Sequence, residues 1–188
     1  MPASRIRLHV EDTGGDGRPV ILIHGWPLSA DAWKQQVSIL RDAQHRVISY
    51  DRRGFCRSDK PAEGYDYDTL AADLAGLIEE RDLRDVTLVG FSMGGGEVAR
   101  YVANHGQDRL HSVVFAAAVP PFLLRSDDNP EGPLTGDKAA EMRSGLEQDR
   151  EAFFDGFTRD FFSANGQLMV TEETRQAAIA LCHQSDQT

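Results

Sequence analysis

The stretch that decides the fold is VTLVGFSMGGG, residues 86–96. Three of its first four residues are apolar, and the run of four predicts a strand that is buried on both faces. GFSMG follows directly and matches the pattern G-x-S-x-G, and residues 94–104 have the spacing of a helix. This order lifts the Ser92 hydroxyl to the C-terminal edge of a sheet, where a helix N-terminus favours developing negative charge. We therefore predict that Ser92 is a catalytic nucleophile and that Gly90 and Gly94 permit the tight turn; the alternative is an ordinary serine in a glycine-rich turn.

A second motif, HGWP, occupies residues 24–27 and follows another continuous apolar run, residues 20–23. If the two apolar strands lie side by side in a parallel sheet, this motif and Ser92 meet at the same edge. Acyl transfer needs two hydrogen-bond donors aimed at the oxyanion. We predict that these donors are the backbone N–H groups of Trp26 and Met93.

The other residues of the second motif have predicted supporting roles. Gly25 lets the loop backbone come close to the nucleophile, because it carries no side chain. We expect His24 to hold the loop through hydrogen bonds, although its position near Ser92 also makes it resemble a catalytic base. The ring of Trp26 is expected to pack as a core aromatic, since the proposed role belongs to its N–H group.

The pattern of apolar residues predicts an α/β fold. Strand and helix alternate from Val20 to Ala118, which is typical of βαβ units and a mainly parallel sheet flanked by helices. Ser29 can cap the first helix. Strands are expected at residues 6–10, 20–23, 47–50, 86–89 and 113–115, the last four buried on both faces.

The character of the chain changes after residue 120. Residues 125–133 are polar and rich in turn residues, and the remainder predicts three short helices and no strand. We therefore predict two domains, an α/β core at residues 1–120 and a helical cap or lid at residues 121–188. Its apolar side chains suit a small apolar acyl or aryl ester, or else they pack the lid onto the sheet; they are Phe122, Leu123, Phe153, Phe154, Phe157, Phe161 and Phe162.

Composition and charge exclude several classes of function. The net charge of −10 argues against a nucleic-acid partner, which requires a basic face. No apolar run approaches the ~18 residues of a membrane span, and residues 1–5 do not begin a signal peptide. Cys56 and Cys182 fit neither a disulfide framework nor a metal site, so a cytoplasmic protein without metal or cofactor is the expectation.

Four stretches carry a resemblance to a known family: HGWPLSADAWKQQ, VISYDRRGFCRSDKP, DTLAADLAGLIEERDLRDVTLVGFSMGGGEVARYVANHG and VVFAAAVPPFLL. They make residues 6–124 similar to the α/β-hydrolase superfamily and, within it, to the cofactor-free haloperoxidases, which include non-haem chloroperoxidases and arylesterases. The resemblance implies a Ser-Asp-His triad, ester hydrolysis, and peracid formation from carboxylic acids and hydrogen peroxide. Ser92, Trp26 and Met93 carry over to matching positions. Cys56 departs from the family, which has glycine there.

The catalytic acid and base that the resemblance implies are not found in the chain. In this fold the acid and then the histidine follow later strands, and no such strand is predicted after Ala118. Three histidines follow Ser92: His105 is expected at a helix end, His111 at the start of a strand and His183 in the lid. Weaker alternatives pair His183 with Asp186 or place the acid at Asp127 or Asp128. We therefore expect a truncated sequence that is inactive as it stands.

Three functions remain open from the sequence. The first is a serine hydrolase of the esterase or perhydrolase type, acting on a small-molecule ester or carboxylic acid. The second is a non-catalytic binding or interaction protein, and the third is a hydrolase whose base comes from a second chain. A homo-oligomer also stays open, because an apolar strand at residues 113–115 without further strands beyond it invites pairing.

Overall fold

The computed structural model describes residues 6–119 and 122–185. They divide into two compact units, Met1–Pro120 with Gln184–Thr188, and Pro121–His183. The predicted boundary between residues 120 and 121 lies outside the described residues. The role of the second unit as a lid stays a prediction.

The first unit contains a five-stranded sheet with the order β1-β3-β2-β4-β5. β2 pairs in parallel with both β3 and β4, β4 pairs in parallel with β5, and only β1 is antiparallel. The predicted mainly parallel sheet of an α/β fold is confirmed. The strands are β1 (His9–Asp12), β2 (Pro19–Ile23), β3 (Arg46–Asp51), β4 (Val86–Phe91) and β5 (Leu110–Ala116).

Helices separate the strands of this sheet. Ser29 caps a short 3-10 helix, Ala30–Trp33, by accepting a hydrogen bond from the Asp31 N–H, as the sequence predicts. Asp66 caps the second α-helix by accepting one from the Thr69 N–H at 2.9 Å. The α-helices are α1 (Lys34–Asp42), α2 (Tyr67–Glu80) and α3 (Met93–His105).

The core lies on both faces of the sheet, because successive side chains of each strand point to opposite sides. On one face, Ile21 and Ile23 of β2 pack with Leu74 of α2 and Val98 of α3. On the other face, Val20 and Leu22 pack with the aromatic and aliphatic side chains of the 3-10 helix and α1. This double burial explains why residues 20–23 are uninterrupted apolar residues.

β1 begins later than the alternating pattern from Ile6 predicts. The backbone of Arg7 bonds to Asp59, whose N–H donates to the Arg7 carbonyl at 3.0 Å and whose carboxylate accepts from the Arg7 N–H. The His9 N–H donates to the Ser58 hydroxyl at 2.8 Å. Because these groups pair with a loop, the ladder with β3 starts only at His9.

β5 forms as predicted but is not buried. It lies at the end of the strand order, and Val113, Val114 and Phe115 are 37%, 45% and 50% exposed. The prediction of a strand buried on both faces is therefore wrong for these residues in the described part of the chain. No element in the described part of this unit covers these three apolar side chains.

The second unit consists mainly of helices α4 (Gly136–Gln148), α5 (Arg150–Phe161) and α6 (Glu172–Cys182). The three predicted helices are confirmed, but the prediction of no strand is wrong. A hairpin of β6 (Ser163–Ala164) and β7 (Gln167–Leu168) joins α5 to α6. Asn165 and Gly166 form its turn with φ of 52° and 76°, the left-handed pair that a tight hairpin requires.

Within the second unit, α5 and α6 are joined by one buried arginine. The guanidinium of Arg175 bonds to Glu172 on its own helix and, at 2.7 Å, to Asp155 on α5. Phe154 is fully buried, whereas Phe161 is 60% exposed. Phe154 meets the rings of Phe153 and His183 within this unit, and packing of the lid phenylalanines onto the sheet stays a prediction.

Candidate active site

Ser92 lies alone between the end of β4 and the start of α3, in the strand–turn–helix arrangement. Its backbone adopts φ 52° and ψ −118°, a left-handed conformation that a non-glycine residue rarely takes. Its N–H donates to the Ala116 carbonyl at 3.1 Å and its carbonyl accepts from the Gly95 N–H at 3.0 Å. Backbone strain of this kind costs roughly 1–3 kcal/mol and clusters at active sites.

The two glycines that flank Ser92 are required by close approaches of the backbone. A Cβ at Gly90 would lie 2.5 Å from the Gly94 carbonyl oxygen. A Cβ at Gly94 would lie 2.5 Å from the carbonyl oxygen of Ile23 at the end of β2. The G-x-S-x-G spacing therefore allows the start of α3 to pack directly against two strands.

The loop after β2 reaches the same edge of the sheet as Ser92. Ile23 is opposite Gly90 in the parallel pairing of β2 and β4, so both strands end together. A Cβ at Gly25 would lie 3.0 Å from Cβ of Ser92. The loop backbone can come this close only because residue 25 has no side chain. Trp26, whose peptide bond to Pro27 is cis, follows immediately.

His24 is fully buried and both of its ring nitrogens are engaged. Nδ1 donates to the Gly25 carbonyl at 2.9 Å, and Nε2 accepts from the Arg52 backbone N–H at 3.0 Å. Burial, and then the nearby Arg52 guanidinium, lower the pKa of His24 to about 3. His24 is therefore neutral at pH 7 and has no nitrogen available to accept a proton from Ser92.

The three later histidines occupy other surroundings. His105 ends α3, about 18 Å along the helix from its start, and stacks on Tyr101. His111 Nδ1 lies 3.2 Å from the Asp85 carboxylate on the surface of the first unit. His183 meets the ring of Phe154 edge-on within the second unit. Among the described residues, no side chain hydrogen-bonds to the Ser92 hydroxyl.

The alternative acids do not form a site with these histidines among the described residues. Asp127 and Asp128 are exposed in a turn closed by backbone hydrogen bonds between Ser126 and Asn129. Asp186, the weaker partner considered for His183, lies outside the described residues. Across residues 6–119 and 122–185, no cluster of three or more His, Cys, Asp or Glu side chains could hold a metal ion.

Sequence reasoning missed a buried network behind the site. Arg52 and Glu97 are 1% and 0% exposed, and the Arg52 Nε donates to the Glu97 carboxylate at 2.8 Å. The Tyr50 hydroxyl donates to the other carboxylate oxygen. The available signal was a lone acidic residue, Glu97, between the glycines and Val98 of the predicted helix at residues 94–104.

A mainly parallel sheet that carries a serine on a sharp strand-to-helix turn defines the class of α/β-hydrolase folds. A family profile described as the alpha/beta hydrolase fold matches residues 18–177 of this chain. The chain therefore belongs to the α/β-hydrolase fold family, and the predicted membership is confirmed.

Its relatives include haloperoxidases and an esterase. The chain is 48% identical over 151 residues to the non-heme chloroperoxidase CPO-A1 of Kitasatospora aureofaciens, covering 80% of this chain and 54% of that protein. It is 36% identical over 150 residues to the bifunctional esterase/perhydrolase DCH of Acinetobacter calcoaceticus, covering 79% of this chain and 54% of that protein. The crystal structure of a bromoperoxidase from Bacillus anthracis matches with a TM-score of 0.90 at 50% identity, covering 97% and 66%.

Three further findings bear on the function. The chain spans between 54% and 66% of the lengths of these relatives. Neither cysteine forms a disulfide, and Cys182 is buried whereas Cys56 is partly buried. In the part of the chain that the structure describes, no helix is long and apolar enough to cross a bilayer.

Proposed function

We propose that this protein is a serine hydrolase of the esterase or perhydrolase type, with Ser92 as its nucleophile. The observation that carries the proposal is the strained conformation of Ser92, φ 52°, at the edge where the Gly25 backbone comes within contact distance of its side chain. A strained, non-capping serine at the start of a helix has a cost in stability that a merely structural residue would not require.

The proposed reaction begins when the Ser92 oxygen attacks the carbonyl carbon of a small ester. The new C–O bond forms as the carbonyl π electrons move to oxygen, and the N–H groups of Trp26 and Met93 donate to that oxyanion. The tetrahedral intermediate then breaks its bond to the alkoxide oxygen, which takes up the proton that Ser92 lost and leaves as the alcohol, while the acyl group stays on Ser92. Water then releases the carboxylic acid, or hydrogen peroxide releases a peracid.

Activation of Ser92 requires a base that accepts its proton. His24 cannot act as this base, because both of its nitrogens are bonded and its pKa is about 3. Loss of the base of a catalytic triad typically costs about a million-fold in turnover. We therefore propose that this chain has only the residual activity that the oxyanion donors and substrate binding provide.

The substrate class and the compartment are further parts of the proposal. Small carboxylic esters fit the name of the esterase/perhydrolase among the relatives. Two cysteines that form no disulfide are consistent with a reducing cytoplasm. Esterase and perhydrolase activities share the same acyl-enzyme, so both are expected from one site.

The test is labelling of the protein with a fluorophosphonate probe in the presence of added imidazole, which can replace a missing base. We expect the probe to modify Ser92, identified by peptide mass spectrometry, at a rate that rises with imidazole concentration. The Ser92→Ala variant should not be labelled at this peptide, whereas Ser112→Ala, which changes a serine on β5, should behave like the unmodified protein. Absence of Ser92 labelling at all imidazole concentrations would refute the nucleophile assignment.

The same experiment separates the alternative, a non-catalytic binding protein. The specific observation that favours the alternative is that no described side chain bonds to the Ser92 hydroxyl. A binding protein would bind a small ester, measured by calorimetry, without imidazole-dependent labelling of Ser92. A hydrolase completed by a second chain would show labelling that increases with protein concentration in the absence of imidazole.

A further inference from the structure

A buried ionic network lies directly behind the two backbone segments of the candidate active site. Arg52 follows β3, and Glu97 lies in the second turn of α3. Each carboxylate oxygen of Glu97 accepts one hydrogen bond, from the Arg52 Nε at 2.8 Å and from the Tyr50 hydroxyl. Because desolvation offsets most of the Coulombic attraction of a buried ion pair, stability alone is a weak reason for this network.

The remaining donors of Arg52 reach both segments that carry the proposed oxyanion donors. Its Nη2 donates to the His24 carbonyl at 2.8 Å, and its backbone N–H donates to His24 Nε2 at 3.0 Å. Its Nη1 contacts the sulfur of Met93 at 3.7 Å. A single side chain therefore contacts the residue two before Trp26 and the residue directly after Ser92.

We propose that Arg52 is a positioning residue for the oxyanion hole, an inference that rests on the proposed function of Ser92. Anchored by Glu97 and Tyr50, Arg52 holds the His24 loop at a fixed separation from the start of α3. It does not touch the substrate. It acts on the reaction through the N–H groups of Trp26 and Met93, because these groups stabilise the developing oxyanion only when they point at it.

The geometry requires an arginine at this position. The planar guanidinium places Nε on Glu97 while Nη2 bonds to the His24 carbonyl on another element. A lysine ammonium is a compact charge on a flexible stem and cannot reproduce this fork. Burial raises the pKa of Glu97, and Arg52 opposes the rise, so Glu97 can take up a proton when Arg52 is removed. The fold is therefore expected to survive the loss of the guanidinium.

The experiment uses the position of Trp26 as its own readout. The chain has two tryptophans, so Trp33→Phe leaves Trp26 as the only source of indole fluorescence. In this background we compare acrylamide quenching of Trp26 in Arg52→Met and Arg52→Lys. The matched control is Arg46→Met, which removes an arginine that makes two hydrogen bonds to Asp12 at the opposite end of β3.

We expect the quenching constant of Trp26 to rise at least about two-fold in both Arg52 variants and to stay unchanged in Arg46→Met. In the same variants, the maximal rate of imidazole-assisted Ser92 labelling should fall by about 10²-fold, the effect of losing one oxyanion donor, with the probe concentration for half-maximal rate unchanged. Replacing a residue with a merely structural role would not raise the quenching constant and lower the maximal labelling rate together while the circular dichroism spectrum stays native.

Two results would overturn the inference. The first is a folded Arg52→Met protein whose Trp26 quenching equals that of the Arg46→Met control. The second is an Arg52→Lys protein whose Trp26 quenching and Ser92 labelling equal those of the parent protein. The requirement would then be the positive charge and not the forked geometry of the guanidinium. If Arg52→Met does not fold, Glu97→Gln is judged by the same two criteria. Absence of labelling in the parent protein refutes the proposed function, whereas unchanged quenching refutes only the role of Arg52.

Discussion

Acidification should destabilise this protein through one buried histidine. His24 has a pKa of about 3 in the folded protein, against 6.5 for an unperturbed histidine. The unfolded chain therefore binds a proton at a higher pH than the folded protein does. The neutral His24 stabilises the fold fully above pH 6.5, and this contribution is lost as the pH falls from 6.5 towards 3. Within that window each pH unit costs about 1.4 kcal/mol.

The variant that isolates this effect is His24→Gln. An amide provides one donor and one acceptor, as the neutral imidazole does for Gly25 and Arg52, but it does not titrate. The carboxylates whose pKa values are lowered by hydrogen bonds, such as Asp12, are present in both proteins. Their contribution to the pH dependence cancels in the comparison.

The assay is urea-induced unfolding of both proteins at pH 7, 6 and 5, followed by circular dichroism. Between pH 7 and pH 5, the free energy of unfolding should fall by about 2 kcal/mol more in the unmodified protein than in His24→Gln. Equal losses in the two proteins would mean that His24 is protonated in the fold or solvent-accessible. Either outcome would contradict the hydrogen-bond scheme that excludes His24 as a base.

Three further predictions concern Gly94 and Phe115 in the first unit and Gly156 in the second. Gly94→Ala should lower the free energy of unfolding by about 2 kcal/mol, because its Cβ would lie 2.5 Å from the Ile23 carbonyl oxygen. Gly156→Ala should raise the free energy of unfolding by about 1 kcal/mol, because Gly156 lies inside α5 and a Cβ there would meet nothing within 4 Å. Equal changes for the two glycine variants in urea unfolding would contradict the close approach at Gly94. Phe115→Lys should reduce self-association measured by sedimentation velocity, because Phe115 is 50% exposed on β5. An unmodified protein that stays monomeric at all concentrations would remove the basis for this last prediction.

Local sequence signals were sufficient for the parts of the fold that depend on neighbouring residues. The apolar run at residues 20–23 predicts β2, because a strand covered on both faces needs no polar alternation, and the mostly apolar residues 86–89 predict β4. Their parallel pairing brings Gly25 next to Ser92. The proximity of the two motifs therefore follows from the order of strands and helices.

Other features depend on contacts that no local pattern encodes. The network of Arg52 and Glu97 joins residues 45 positions apart. The late start of β1 depends on hydrogen bonds to a loop some 50 residues away. The hairpin at Asn165 and Gly166 did have a local signal, since this dipeptide favours a tight turn, but its strands of two residues each are too short for an apolar alternation.

Cys56 stands where the resembled family has glycine, and its backbone conformation is one that favours glycine. Its φ is 41°, in the left-handed region that glycine adopts without steric cost. A side chain there costs roughly 1–2 kcal/mol. The loop nevertheless keeps its conformation, because the Ser58 and Arg57 N–H groups remain bonded to the Phe55 carbonyl and the Asp51 carboxylate. The glycine is therefore a preference of this turn and not a requirement.

The candidate site consists of two parts that depend on different kinds of structure. The position of Ser92 and of the N–H groups of Trp26 and Met93 depends on the backbone at the ends of β2 and β4, and this part lies within the described residues. Activation of Ser92 depends on a side chain that must reach its hydroxyl from elsewhere, and His24 is prevented from doing so by its own bonds to the loop. Imidazole should therefore restore labelling only while Ser92 and these two N–H groups keep their positions. The imidazole dependence in the Arg52 variants then separates loss of the proposed oxyanion donors from lack of a base.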